Sequence, residues 1–113
     1  MSKKMLPKEI EEVLKVGTPL FDVGVHNWAL TKSQVMLAIE RLRSLEIPIL
    51  GGDVYEIING VLQSNYDNWY CDALPDETQK NFVRRSINKA ISFIETYKPQ
   101  DPIEVFFVLV PEA

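Results

Sequence analysis

The most reactive side chains of the chain are one histidine and one cysteine, His26 and Cys71. A cysteine thiol acts as a nucleophile when a base lies within hydrogen-bonding reach. A predicted helix separates the two residues, however, and nothing in the flanking sequence predicts that they meet. One histidine and one cysteine also cannot supply the four ligands of a zinc site. The sequence therefore favours a loop histidine and a cysteine that packs in a strand as a small apolar residue, without a catalytic role.

Carboxylates are concentrated in the middle of the chain. Residues 44–79 contain seven acids and no base, a net charge of −7, whereas the remaining residues carry +3, from 12 bases against nine acids. Oxygen ligands suit Mg²⁺ or Ca²⁺, and paired carboxylates can also serve as acid and base. The spacing is not that of an EF-hand loop, so a solvated acidic surface is the favoured interpretation, without metal or cofactor.

The pair Gly51–Gly52 precedes Asp53 in this acidic segment. A phosphate-binding loop would lead from a strand through glycines into a helix N-terminus, but here the glycines lead into another strand. Contacts with nucleic-acid phosphates depend on lysine and arginine, and the neighbouring acids would repel phosphate. The sequence therefore predicts that nucleic acid is not a partner.

The segment "NYDNWYCD", Asn65–Asp72, sets aromatic residues among acids. Tyrosine and tryptophan are enriched at interface hot spots, and acidic residues around them attract a basic protein. Because side chains alternate in a strand, one of Trp69 and Tyr70 is expected to be buried, and the sequence leaves open which. The predicted partner-binding residues are Asp53, Tyr55, Glu56, Asp67, Trp69, Tyr70 and Asp72.

Size and composition predict one soluble domain over residues 1–113, since the chain is 46% hydrophobic and 25% charged. No apolar run approaches the roughly 18 residues that span a bilayer, so no membrane partner is expected. The first residues alternate acids with apolar side chains, which argues against a signal peptide. A single cysteine suits a reducing compartment, and the predicted location is the cytoplasm.

Three helices are predicted around these residues. The first ends near Gly17, and the second begins at Thr31, because "TKSQ" matches a capping box. The third helix spans "LPDETQKNFVRRSINKAISFIETYK", with Asp76 or a neighbour as its cap and acids in its first turn. Its inner stripe is predicted to be Phe82, Ile87, Ala90, Ile91 and Ile94.

Two further segments have the pattern of strands. Asn59–Gly60 between apolar flanks predicts a hairpin that pairs Ile58 with Val61, Ile57 with Leu62 and Tyr55 with Ser64. The apolar run "IEVFFVLV" predicts an interior strand that is covered on both faces. The predicted fold class is α+β, a small antiparallel sheet of three to four strands, the central hairpin plus the C-terminal strand, packed with three helices.

Three stretches of the chain resemble the immunity protein 40 family of bacterial polymorphic-toxin systems. They are "WALT" at Trp28–Thr31, "ILGGDVYEI" at Ile49–Ile57 and "NWYCD" at Asn68–Asp72, and the likeness covers roughly residues 25–110. The resemblance implies a small cytoplasmic protein that binds the C-terminal domain of a secreted toxin, of the contact-dependent inhibition type, and blocks it. It implies no set of contact residues.

Both lines of reasoning favour a non-catalytic inhibitor of a cognate toxin domain that is basic, with nucleases as one candidate class. Two alternatives stay open at this point. One is a small hydrolase or nucleotide-modifying enzyme that uses Cys71 or the clustered carboxylates. The other is a homodimeric adaptor that pairs through the edge of its sheet. The predicted assembly is a monomer or a weak homodimer.

Overall fold

The structure is a computed structural model that describes residues 7–100 and 103–113. Its helices are α1 (Lys8–Leu14), α2 (Lys32–Ser44) and α3 (Gln79–Thr96), with a short 3₁₀ helix at Phe21–Val23. Its strands are β1 (Thr18–Pro19), β2 (Trp28–Ala29), β3 (Ile49–Ile58), β4 (Val61–Tyr70) and β5 (Val105–Pro111). The predicted α+β class is confirmed. The signal-peptide prediction depends partly on residues 1–6, which lie outside the described residues.

The β3–β4 hairpin has the predicted turn and register. Asn59 and Gly60 take positive φ angles of 54° and 78°, as a two-residue hairpin turn requires. The three predicted pairs, Ile58–Val61, Ile57–Leu62 and Tyr55–Ser64, are all present. β3 lies between β4 and β5 in an antiparallel three-stranded sheet, and β1 and β2 form a separate two-stranded sheet.

The C-terminal strand β5 is covered on both faces, as its continuous apolar run predicts. Phe107 and Leu109 join the core on the helix side, and Phe106 and Val108 join a second cluster on the opposite side. The expectation of an interior position is wrong, because β5 lies at the side of the three-stranded sheet. Its outer edge is bridged by Leu30, whose backbone exchanges two hydrogen bonds of 2.8 Å with Phe107.

The core has two layers. On one face of the sheet the apolar stripes of the three helices pack against Val54, Trp69 and Phe107. On the other face Leu20, which follows β1, and Ala29 of β2 pack against Tyr55 and Phe106. The sheet is therefore fully covered by helices on one side and only partly covered on the other.

The capping box that was predicted for α2 is present. The Thr31 hydroxyl accepts from the Gln34 backbone N–H at 3.2 Å, and the Gln34 side chain accepts from the Thr31 N–H at 2.9 Å. For α3 the cap is Thr78, a neighbour of Asp76, and the expectation of acids in the first turn is wrong, because the helix begins at Gln79.

The inner stripe of α3 is confirmed except at one position. Phe82, Ile87, Ala90 and Ile94 are buried, whereas Ile91 is only half-buried. Ser86, which is fully buried, takes the remaining inner position: its hydroxyl donates to the Val83 carbonyl and accepts from the Ile49 N–H. A small polar side chain thereby ties α3 to the start of β3.

Candidate partner-binding surface

A bulge interrupts β4 in the middle of the segment "NYDNWYCD". Three residues, Asn65–Asp67, lie between the pairs Asp53–Asn68 and Tyr55–Ser64, where β3 has only Val54. The bulge is held by its own polar side chains: the Ser64 hydroxyl accepts from the Tyr66 N–H at 3.0 Å, and Oδ1 of the Asn65 side chain accepts from the Asp67 N–H at 2.9 Å. Bulges of this kind redirect side chains at the edges of sheets.

Tyr66 is the most exposed aromatic residue of the bulge. Its φ is 72°, in the left-handed region that bulky residues rarely occupy, and 86% of its surface is accessible. Such strain persists only where the surrounding structure enforces it, and it is common at functional sites. Tyr66 was not among the predicted site residues, because alternation along a regular strand does not foresee a bulge.

Glu56 and Asp67 meet in a polar network beside the bulge. The Asn65 amide donates to the Glu56 carboxylate at 2.7 Å and to the Tyr97 hydroxyl at 2.9 Å, and that hydroxyl donates to Asp67 at 2.6 Å. Burial, followed by the bond to Asp67, raises the pKa of Tyr97. The network lines a groove of about 280 Å³ that Lys98, Gln100 and Ile103 complete.

The carboxylates in this network have neutral hydrogen-bond partners. Among residues 7–100 and 103–113, no lysine, arginine or histidine nitrogen lies within 4.0 Å of Glu56 or Asp67. Lys98 lines the same groove without forming an ion pair. Two carboxylates therefore stand at a concave surface without an ion pair to a described residue, where a cationic side chain of a partner could bind them.

Asp53 and Tyr55 lie on the opposite face of the sheet from Glu56. Tyr55 is buried against the second apolar cluster, and Asp53 is half-buried opposite Asn68. Burial raises the pKa of the Asp53 carboxyl, and burial together with the charge of Asp53 raises the pKa of Tyr55. Asp53 and Tyr55 lie within three residues of Glu56 in the sequence. The structure nevertheless separates them from the groove, because they face the other side of the sheet.

Of the neighbouring residues Trp69 and Tyr70, the first is buried and the second is exposed. Trp69 is only 6% exposed and stacks on Phe93 with ring centroids 4.6 Å apart, so it belongs to the core. Its indole N–H is buried and has no hydrogen-bond acceptor among the described residues. Tyr70 is 67% exposed, and the Lys89 ammonium lies 5.3 Å from its ring centroid. Tyr70 is therefore the aromatic residue that this pair presents to solvent.

The segment after β4 is fastened to α3 by Arg85. Its guanidinium binds both oxygens of Glu77 at 2.8 Å and also donates to the Asp72 carbonyl and to the Cys71 sulfur, the latter at 3.2 Å. The hydrogen bond from Arg85 lowers the pKa of Glu77 to about 2. Glu77 is thus neutralised, whereas the exposed Asp72 carboxylate forms no ion pair with a described residue.

His26 and Cys71 do not share a contact. His26 stacks on Phe21 with centroids 5.0 Å apart, and its Nε2 lies 3.5 Å from Glu11, on the N-terminal side of the molecule. Cys71 is buried against Arg85. Within residues 7–100 and 103–113 there is also no group of three or more His, Cys, Asp or Glu residues that could hold a metal ion.

We call five residues on or beside β4 the β4 surface; Glu56 is half-buried and the other four are exposed: Glu56, Tyr66, Asp67, Tyr70 and Asp72. One end contacts Tyr97, the residue that follows α3, at the groove, and the other contacts Lys89 of α3 at Tyr70. In the described part of the chain, β4 has β3 as its neighbour and an open outer edge. None of the helices described here is both long and apolar enough to cross a membrane.

Fold and surface together define the class: a small α+β protein whose edge strand β4 presents two exposed tyrosines, Tyr66 and Tyr70. The family model of Immunity protein 40 matches residues 19–111, and the chain therefore belongs to the immunity protein 40 family. The match runs from the second residue of β1 to the last residue of β5. No curated protein and no solved structure matches the chain.

Membership confirms the family resemblance of "WALT", "ILGGDVYEI" and "NWYCD". It makes the chain an immunity protein, whose function is to bind and neutralise a toxin. Each of the three motif segments has a structural role in the fold. "WALT" contains β2 and the N-cap of α2, and "ILGGDVYEI" forms most of β3. "NWYCD" covers the end of β4 and the contacts with Arg85.

Proposed function

We propose that the chain acts in the cytoplasm, as a single domain, and neutralises one cognate domain of a polymorphic toxin by stoichiometric binding through the β4 surface. The observation that carries this proposal is the pairing of Glu56 and Asp67 with neutral donors only, next to the exposed Tyr66. Inhibition of this kind requires a complementary surface and no catalytic residue of its own.

The charge of the surface supports a basic partner. Carboxylates that form no ion pair within their own chain attract a cationic protein from a distance, and this attraction acts mainly on the association rate. Nucleases are the toxin class that suits this best, because an active site that binds phosphates is electropositive. An acidic surface placed against such a site occupies it and excludes the substrate.

The aromatic part of the surface would slow dissociation. Tyr66 and Tyr70 are both largely exposed, and each offers a large ring area with a polar tip at little rotamer cost. Tyr55 and Trp69, which the sequence also suggested as anchors, are buried and would support the surface from within. The proposed contact set therefore retains Glu56, Asp67, Asp72 and Tyr70, adds Tyr66, and leaves out Asp53, which lies on the other face of the sheet.

The electrostatic part is tested by association kinetics with the purified cognate toxin domain, which is to be sought in the reading frame immediately upstream. Glu56→Gln with Asp67→Asn removes two charges while keeping both side-chain shapes and both hydrogen-bond acceptors. We expect the association rate to fall about tenfold at low salt and its salt dependence to weaken.

The matched control is Glu9→Gln with Glu40→Gln, which removes the same charge from exposed positions of α1 and α2. It should leave the association rate within about twofold of the native rate, because neither carboxylate belongs to the β4 surface or lines its groove. Equal slowing by both pairs would mean that net charge matters and this surface does not.

A further inference from the structure

The stretch of β4 between the hairpin turn and the bulge, Val61–Ser64, has free backbone groups on its outer side. In a two-residue hairpin the residues that flank the turn, Ile58 and Val61, exchange hydrogen bonds, and every second pair repeats this pattern. Gln63 consequently bonds to β3, whereas the N–H and C=O groups of Leu62 and Ser64 point outward. No described strand lies on that side.

An apolar groove adjoins the same stretch. It has a volume of about 330 Å³ and is lined by Val23, Val25, Tyr55 and Val61–Ser64. Val23 and Val61 are each 47% exposed, and Ile57, the cross-strand neighbour of Leu62, is 54% exposed. Exposed apolar side chains that gather in a groove next to open backbone groups are suited to an extended peptide segment.

We propose that the toxin partner docks by adding a short extended strand to β4 at Val61–Ser64. This inference rests on the proposed function, since it specifies how the toxin domain binds. Residues of the added strand that face the same way as Leu62 and Ser64 lie over the apolar groove. The alternate residues face the side of the sheet on which Glu56 and Asp67 lie. The segment that fits is therefore one of alternating apolar and basic residues.

Charge decides between a foreign strand and a second copy of this chain. β3 and β4 together carry Asp53, Glu56 and Asp67 and contain no base. Two copies joined edge to edge would place Glu56 and Asp67 of both copies, four carboxylates, on one side of the joined sheet without a cation from either hairpin, and like charges at an interface are unfavourable. A basic strand of the toxin domain meets the same carboxylates with attraction.

The bulge limits how far such a strand can extend. Tyr66, at φ 72°, takes the backbone out of the regular strand conformation directly after Ser64. Bulges interrupt edge-to-edge pairing, and natural sheets use them to prevent unwanted association. The added strand is thus confined to about four residues, because the regular edge of β4 ends at the bulge that contains Tyr66.

Residue-resolved amide hydrogen exchange tests the docking mode with the full chain, alone and with the upstream-encoded toxin domain. In the free protein the amides of Leu62 and Ser64 should exchange rapidly and that of Gln63 slowly, because only Gln63 bonds to β3. Complex formation should slow Leu62 and Ser64 at least about tenfold. A bound toxin domain that leaves both amides unprotected would overturn strand addition while leaving the proposed function intact.

A substitution pair gives an independent readout. Ser64→Pro removes the outward N–H, whereas Ser64→Ala removes the same hydroxyl, with its bond to Tyr66, and keeps that N–H. We expect Ser64→Pro to raise Kd about tenfold above that of Ser64→Ala, with similar melting temperatures. Equal Kd values in two folded variants would overturn the proposal, as would concentration-dependent protection of Leu62 without toxin, which would identify a second copy as the occupant. Failure of the native protein to bind the toxin domain would instead refute the proposed function.

Discussion

The ring of Trp69 lies directly over the backbone of Gly52, its partner in the β3–β4 register. A Cβ atom built on Gly52 would stand 2.2 Å from Cη2 of that ring and 2.6 Å from the Val108 carbonyl oxygen. No side chain fits there without movement of a buried indole that is itself stacked on Phe93. Packing against Trp69 therefore accounts for the second glycine of "GGD", and no phosphate-binding role is needed to explain it.

Gly52→Ala should destabilise the fold by about 1–3 kcal/mol, the usual cost of overpacking a core. Urea denaturation measures the change in the free energy of unfolding. A double-mutant cycle with Trp69→Leu identifies the cause, because the smaller side chain removes much of the clash. The two effects should then be clearly less than additive. Additive effects would show that the Gly52 penalty arises elsewhere, for example at the Val108 carbonyl.

The start of α2 gives a second stability prediction. Thr31→Ala removes the hydroxyl that accepts from the Gln34 N–H, and loss of such a cap costs about 1 kcal/mol. Thr31→Ser keeps the hydroxyl and should retain most of that stability. Thermal melts of the two variants compare them directly, and equal melting temperatures would mean that the cap contributes nothing measurable.

Glu77 predicts how stability changes with pH. Its pKa is lowered from 4.5 to about 2 by the hydrogen bond from Arg85. A carboxyl with a depressed pKa in the folded state stabilises the fold above its unfolded pKa, and this contribution is lost as the pH falls from about 4.5 toward 2. Glu77→Gln should flatten the dependence of the free energy of unfolding on pH within that window.

Asp76→Asn is the matched control for Glu77→Gln. Asp76 is an exposed neighbouring acid without an ion pair among the described residues, and its positive φ of 65° is one that asparagine accepts. This variant should keep the native pH profile between pH 5 and pH 2. If both substitutions changed the profile equally, the Arg85 contact would not be its source.

Much of the fold follows from local sequence signals because the physics that sets it is local. The turn at Asn59–Gly60 fixes the hairpin register, and the hydroxyl of Thr31 three residues before Gln34 fixes the start of α2. The position of β5 was harder, since a continuous apolar run reports burial on two faces and not the place of a strand within a sheet. Only the tertiary contact of Leu30 with Phe107 explains how an edge strand is covered.

The site could be predicted only in part, because the sequence locates charge and aromatic residues but not the bulge. In a regular strand Asn65 and Asp67 would face one side of the sheet and Tyr66 the other. The bulge adds two residues to β4 and breaks this alternation, and Tyr66 becomes the most exposed large hydrophobic residue of the strand. Ser64 and Asn65, whose side chains hold the bulge, are the residues that could have signalled it. The neutralisation of Glu77 by Arg85 depends on the packing of α3 and has no local signal.

Tyr66 separates stability from function most clearly. Its side chain is 86% exposed at a φ of 72°, so the fold gains little from the ring and bears the strain of an unfavourable backbone conformation. Tyr66→Gly removes both ring and strain. It should leave the free energy of unfolding within about 1 kcal/mol of the native value, since the relief of strain offsets the greater chain entropy of glycine.

Binding of the upstream-encoded toxin domain should nevertheless weaken at least about tenfold, as for loss of an aromatic hot spot. Tyr66→Phe, which keeps the ring, should bind nearly as the native protein does. Urea denaturation and titration calorimetry on the same three proteins make the comparison, and native affinity in Tyr66→Gly would remove Tyr66 from the proposed contact set.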